Sequence, residues 1–224
     1  MKICLLLLSI CFVCLGNASA QDAQTAAEKE AAYTKTIRTR AEKIVTTLNI
    51  SDSTKANQVI TVIADQYRNL NNIYNDRDEA VKLVKGKSNT KEVTEADLKK
   101  IEANTNEKTS SLHQTFLSKL SSLLSPEQVI KVKDGMTYNV LSVTYSAYVD
   151  MIPSLKQEEK EQIMAWLVEA REYAMDAESS EKKHAWFGKY KGRINNYLSK
   201  QGYDVTEERK EWEKRKTQKQ STVN

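Results

Sequence analysis

The sequence predicts an all-α protein, an elongated multi-helix bundle built from long antiparallel helices without disulfides, and three observations carry that expectation. Chain breakers are scarce: beyond residue 20 there are five glycines and two prolines in 204 residues, against ordinary usage of roughly 12% for the pair. Apolar residues recur at steps of three and four, the period of one helix face. All three cysteines, Cys4, Cys11 and Cys14, fall inside the first twenty residues, so the rest of the chain must be held by packing alone.

Those first twenty residues read as a secretory signal. Met1-Lys2 is a short basic start, residues 3–15 are apolar or small, and Ala18-Ser19-Ala20 is a small-residue cleavage motif. The apolar run is shorter than the roughly twenty residues that span a bilayer. Cleavage after Ala20 is expected, giving a periplasmic or secreted protein with no membrane insertion afterwards. The large residues Ile10 and Val13 precede Cys11 and Cys14, which disfavours a lipid anchor. Lys2 is the only charge removed, leaving 33 basic against 30 acidic residues. So small an excess, without arginine-rich runs, argues against a nucleic-acid partner.

Tyr33, Ile37, Ala41, Ile44 and Leu48 define the inward face of a first helix, interrupted at 49–53 by turn and cap residues. Ile60, Ile63, Tyr67, Leu70 and Tyr74, with Val81 and Val84 further on, define a second, which breaks at 86–90. A third, over residues 94–124, presents Leu98, Ile101, Leu112, Phe116, Leu120 and Leu123, and its polar middle, 104–111, is expected to be exposed or frayed. Ser125-Pro126-Glu127-Gln128 combines a cap, a proline suited to the first helical position and a capping-box glutamine. That short helix is expected to fail near Gly135.

Tyr138, Leu141, Tyr145, Tyr148 and Ile152 again step by three and four; the β-branched and aromatic content would allow a strand, but the period favours helix, and Pro153 ends the run. Ser154 or a neighbour opens a helix to about Asp176 whose inward face is Ile163, Leu167, Ala170 and Ala174. Ser179 or Ser180 opens the next, with Phe187, Tyr190, Ile194 and Leu198 inward and Gly202 as the stop. From Glu207 the tail is dense in charge, a solvated helix expected to fray over 216–224. Of sixteen aromatic residues, eleven lie between Tyr138 and Trp212. The expected organisation is therefore a signal at 1–20, a long-helix hairpin region at 21–134, an aromatic-rich helical region at 135–204 and a charged helix or tail at 205–224.

Metal, thiol and cofactor chemistry find no support in the residue types. Only His113 and His184 remain as nitrogen ligands, at no helical spacing from one another, and neither an acidic glycine-containing calcium loop nor a phosphate loop is evident. The expectation is no cofactor and no metal.

The aromatic-rich region offers the one constellation with binding chemistry. At 100° per residue, Trp166 and Tyr173 flank the Ile163 stripe with Glu169 and Asp176 just beyond. On the next helix Trp186 borders the Phe187 stripe, and Lys189, Arg193 and Asn196 continue outward. Flat apolar faces rimmed by hydrogen-bonding groups suit sugars. On this reading an oligosaccharide or polysaccharide is the partner, and Lys189 and Arg193 would pair with the carboxylate of an acidic one. Losing Trp186 would then weaken binding by roughly 1–3 kcal/mol. The same aromatics could simply pack against the neighbouring helix, and Glu169, Glu172 and Asp176 could be a solvated face.

Three stretches add a resemblance. Tyr148-Val-Asp-Met-Ile-Pro-Ser-Leu155, Ala165-Trp-Leu-Val-Glu-Ala-Arg-Glu-Tyr-Ala-Met-Asp-Ala177 and Lys183-His-Ala-Trp-Phe-Gly-Lys-Tyr-Lys-Gly-Arg-Ile-Asn-Asn-Tyr-Leu198 resemble an exported Bacteroidetes family of unknown function. That family is labelled sugar-binding and is associated with polysaccharide utilisation. The resemblance implies a glycan-binding accessory role and carries no catalytic residues across. Leu124-Ser-Pro-Glu-Gln128 is similar to the L-T-x-x-Q motif of small periplasmic helical chaperones, with Ser125 in place of the threonine. Two alternatives therefore stand beside glycan binding: a glycan-degrading enzyme using paired carboxylates, and a chaperone-like or structural helical protein.

Overall fold

The computed structural model describes residues 17–87 and 90–223, all of whose regular structure is helical. The basic start and apolar run of the expected signal, with the three cysteines, lie outside the described residues. Eight helices follow in order among them: α1 (Asn17–Thr46), α2 (Ser53–Lys85), α3 (Lys91–Leu123), α4 (Pro126–Met136), α5 (Val140–Met151), α6 (Gln157–Met175), α7 (Ser180–Lys200) and α8 (Val205–Val223).

The first three helices, 30, 33 and 33 residues long, are roughly 45–50 Å rods at 1.5 Å per residue. They fold back on one another as α1 against α2 and α2 against α3. Asp52 opens α2 by accepting from the Thr54 and Lys55 amides at 2.8 and 3.2 Å. The polar middle of α3 does not fray. It is continuous helix and exposed over most of its length, as expected, with Thr105 buried and Thr109 half-buried toward a polar cleft.

The Ser125 motif builds the full capping box, and Gln128 also reaches back to the Leu48 carbonyl at 3.0 Å. One side chain thus joins the start of α4 to the end of α1. Ala41, Ile44 and Val45 of α1 and Leu48 just after it bury against Val59 and Ile63, Phe116 and Leu120, and Val132 and Met136. Here α4 runs so close to α1 that a Cβ on Gly135 would stand 2.8 Å from Ile44 Cγ1.

A second core gathers Leu141, Tyr148 and Ile152 of α5 and its end with Ile163, Leu167 and Ala170 of α6 and Phe187, Ile194 and Leu198 of α7. Met175, at the end of α6, enters the first core instead, so α6 links the two. Lys156, two residues beyond Ser154, occupies the cap position of α6; its side chain cannot accept, and Glu159 at the third helical position accepts from the Lys156 backbone amide at 2.8 Å. Gly202 follows α7 at φ +95°, a left-handed conformation that glycine adopts without steric cost.

The charged tail is a largely exposed helix, as expected, anchored along one face. Trp212 packs on the second core and donates from Nε1 to Asp150, and Arg215 donates to the Asp150 and Met151 carbonyls at 3.1 and 2.9 Å. These are the unsatisfied carbonyls at the end of α5, a suitable place for a cation.

Candidate functional site

Between the hairpin and the aromatic-rich helices lies a cleft of about 960 Å³. Its far wall is α3, where Thr105, Thr109 and His113 recur every four residues along one face, with Ser110 beside them. Tyr74 and Arg77 of α2 form one end. The near wall is the last turn of α6, with Glu172, Tyr173 and Asp176, continued by Lys182 and Trp186 of α7.

Asp176 is the C-cap of α6, where the helix dipole disfavours a negative charge. The neighbouring helices compensate. His113 Nδ1 lies 2.6 Å from Asp176 Oδ2, and Gln66 Nε2, itself buried, donates to Oδ1 at 3.2 Å. Tyr74 donates its hydroxyl to the Asp176 carbonyl at 2.8 Å. Burial, with the nearby negative charges of Asp176 and Glu178, pushes the Tyr74 phenol up to about 12, against the opposing charge of Arg77. The hydrogen bond to Asp176 holds the His113 pKa above its ordinary value; burial opposes this, and the charges of Asp176 and Glu172 assist it.

The other imidazole nitrogen, Nε2, is 3.7 Å from Glu172, beyond hydrogen-bond reach. Glu172 is held instead by Lys133 Nζ at 2.7 Å and the buried Arg171 at 3.2 Å, and Arg171 also donates to Asp134 at 2.8 Å. Below this network the buried Lys183 donates to the Ala174 and Met175 carbonyls at 3.1 and 2.7 Å, and desolvation pulls its pKa down to about 8. It closes the carbonyl end of α6.

The sequence-predicted residues divide between this cleft and a neighbouring groove. Tyr173, Asp176 and Trp186 line the cleft. Trp166, Lys189, Arg193 and Asn196 line a separate groove of about 570 Å³ between α6 and α7, floored by Gly192. Glu169 stands between them, 3.5 Å from Arg193. Beside it the buried Tyr190 phenol is raised by desolvation and by the Glu169 carboxylate.

Trp186 is not the open platform the sequence suggests. Tyr173 stacks on it with centroids 4.6 Å apart and planes 16° from parallel, and Lys189 Nζ lies 5.0 Å from the ring centroid. Tyr173, 49% exposed, is the member of the pair that faces solvent. Trp166 is engaged likewise, edge-on by Tyr197 at 5.2 Å and by the Arg193 guanidinium at 4.6 Å.

Gln66, Tyr74, His113, Lys133 and Arg171 are the site residues that sequence reasoning missed. The signal available for His113 was the four-residue recurrence of Thr105, Thr109 and His113, two of which lie in the polar stretch 104–111. The exposed large apolar residues, Leu83, Val93, Ile130, Val143 and Val168 among them, are spread over α2 to α6. That dispersal does not favour the single concave apolar face a chaperone would present.

Fold and site together define an all-α protein with a polar, aromatic-lipped cleft between two helical cores. The chain belongs to the family described as "Protein of unknown function (DUF3826)", whose model matches residues 34–218, both concavities included. No curated protein matches the chain.

Proposed function

We propose that this protein is an exported carbohydrate-binding protein, with a neutral sugar unit seated in the cleft against Tyr173. The observation that carries the reading is the half-exposed Tyr173 ring, backed by Trp186 and facing a wall of hydroxyl and carboxylate groups. Stacking one aromatic on another fixes the outer ring without further loss of freedom on binding, so the platform is preorganised. Beside it on α6, Asp176 and Glu172 accept hydrogen bonds from sugar hydroxyls, while Thr109 and Ser110 on the facing α3 wall give and receive them. The signal-like first twenty residues support an extracytoplasmic setting, where such a protein would meet oligosaccharides.

Calorimetry against plant and host oligosaccharides tests this, with Tyr173→Ala as the diagnostic variant. A loss of about 1–3 kcal/mol is expected, with a smaller effect from Trp186→Phe, which keeps the supporting ring. Equal affinity for wild type and a folded Tyr173→Ala protein would contradict the assignment.

A second reading, hydrolysis of the bound glycan, is favoured by one observation. The His113 Nε2 atom makes no hydrogen bond among the described residues and stands beside the Glu172 carboxylate. An imidazole oriented through its other nitrogen by a carboxylate can transfer protons. Incubation of a bound oligosaccharide with the protein, followed by product chromatography, checks it: a turnover that vanishes in His113→Gln would support hydrolysis.

A further inference from the structure

We propose that the groove between α6 and α7 is a subsite for an anionic group, the carboxylate or sulfate ester of an acidic sugar unit adjoining the one in the cleft. The proposal rests on the carbohydrate reading of the cleft and adds charge selectivity to it.

Helix α7 carries six basic residues against a single acidic one. Of these, Lys189, Arg193 and Lys200 converge on the groove. Among the described residues no carboxylate lies within ion-pair distance of Lys189 or Lys200, and Arg193 has only a 3.5 Å contact with the exposed Glu169. The guanidinium rests over Trp166 at 4.6 Å, which restrains it without neutralising it. Three cations with one weak acidic partner, gathered in a concavity, make a place where an anion is favoured.

The floor of the groove points the same way. Gly192 lies inside α7, where glycine is the poorest helix former after proline. A Cβ there would meet nothing within 4 Å, so packing within the chain does not require its absence. What glycine leaves is bare helix backbone between Trp166, Arg193 and Asn196, open to close approach.

The two concavities adjoin through one residue. Lys189 lines the groove while its Nζ lies over Trp186, which lines the cleft. In the cleft the carboxylates of Glu102, Glu172, Asp176 and Glu178 outnumber the cations Arg77 and Lys182, a balance that favours a neutral unit over an anion. The arrangement therefore assigns a neutral unit to the cleft and the charged unit to the groove.

The test is calorimetry with an oligogalacturonate, its carboxyl-reduced neutral counterpart and a sulfated oligosaccharide, on wild type, Gly192→Leu and Tyr173→Ala. Leucine is a better helix former than glycine and its Cβ would meet nothing within 4 Å, so Gly192→Leu should fold, as circular dichroism checks, while its side chain enters the groove. The wild type should bind one of the two anionic probes at least about tenfold more tightly than the neutral one, the scale of a charged hydrogen bond. That preference should weaken with added salt and disappear in Gly192→Leu, with neutral affinity retained. Preference for the sulfated probe over the uronate would identify sulfate as the group.

Equal affinity for all three probes, or a preference that survives Gly192→Leu, would overturn the proposal. If neutral binding still depended on Tyr173, the cleft reading would survive that failure. Anionic binding lost in Gly192→Leu but indifferent to Tyr173→Ala would leave the groove standing and remove the cleft. Absence of binding by all three probes would overturn both.

Discussion

His113 of α3 and Asp176 at the end of α6 meet with Nδ1 and Oδ2 2.6 Å apart, 63 residues distant in sequence. This contact joins the hairpin to the aromatic-rich helices across the floor of the cleft. Because the His113 pKa is raised from 6.5, the imidazolium form stabilises the native state. That contribution is complete below about pH 6.5 and is lost as pH rises through the higher native value. The melting-temperature gap between wild type and His113→Gln should therefore be widest near pH 5.5 and narrow towards pH 9, with about 1.5–3 kcal/mol at stake. A gap that stays constant over that range would show that the bond does not depend on the charge.

Arg171 is buried between Asp134 and Glu172. Removing it leaves Asp134 without that partner and Glu172 with only Lys133 and the more distant His113. Breaking a buried pair by deleting one partner costs about 3–5 kcal/mol, and Arg171→Ala should show a loss of that size in urea denaturation. A loss below about 1 kcal/mol would mean that water replaces the guanidinium without penalty.

Two glycines of the same helix-forming type should respond in opposite directions. Gly135→Ala places a methyl 2.8 Å from Ile44 Cγ1 and should destabilise by about 1–3 kcal/mol through overpacking. Gly188→Ala meets nothing within 4 Å and should stabilise by about 1 kcal/mol, or about 2–4 °C in melting temperature for a chain of this size. Thermal denaturation of the two variants side by side checks both signs.

Helix identity and most inward faces were legible in the sequence because they are local. The stripes of Ile37, Ala41 and Leu48 and of Ile163, Leu167 and Ala170 are buried as their spacing requires. The capping box at Ser125 follows from four consecutive residues. Less legible was everything set by long-range pairing. The tail from Glu207 reads as a solvated helix, and where Trp212 and Arg215 dock, on the end of α5, is set by tertiary packing. Trp186 and Tyr173 read as equivalent border aromatics until the helix pairing stacks one on the other. His113 could be placed on a polar face, but its partner on α6 is fixed only by tertiary packing, as is the Gln66 that shares it.

The central claim is that the cleft holds a sugar against Tyr173. The most direct measurement is the calorimetric affinity of wild type and Tyr173→Ala for the best oligosaccharide from the panel, with circular dichroism to show that both are folded. The account predicts saturable binding by the wild type and a loss of about 1–3 kcal/mol in the variant. Identical affinities in two equally folded proteins would contradict it.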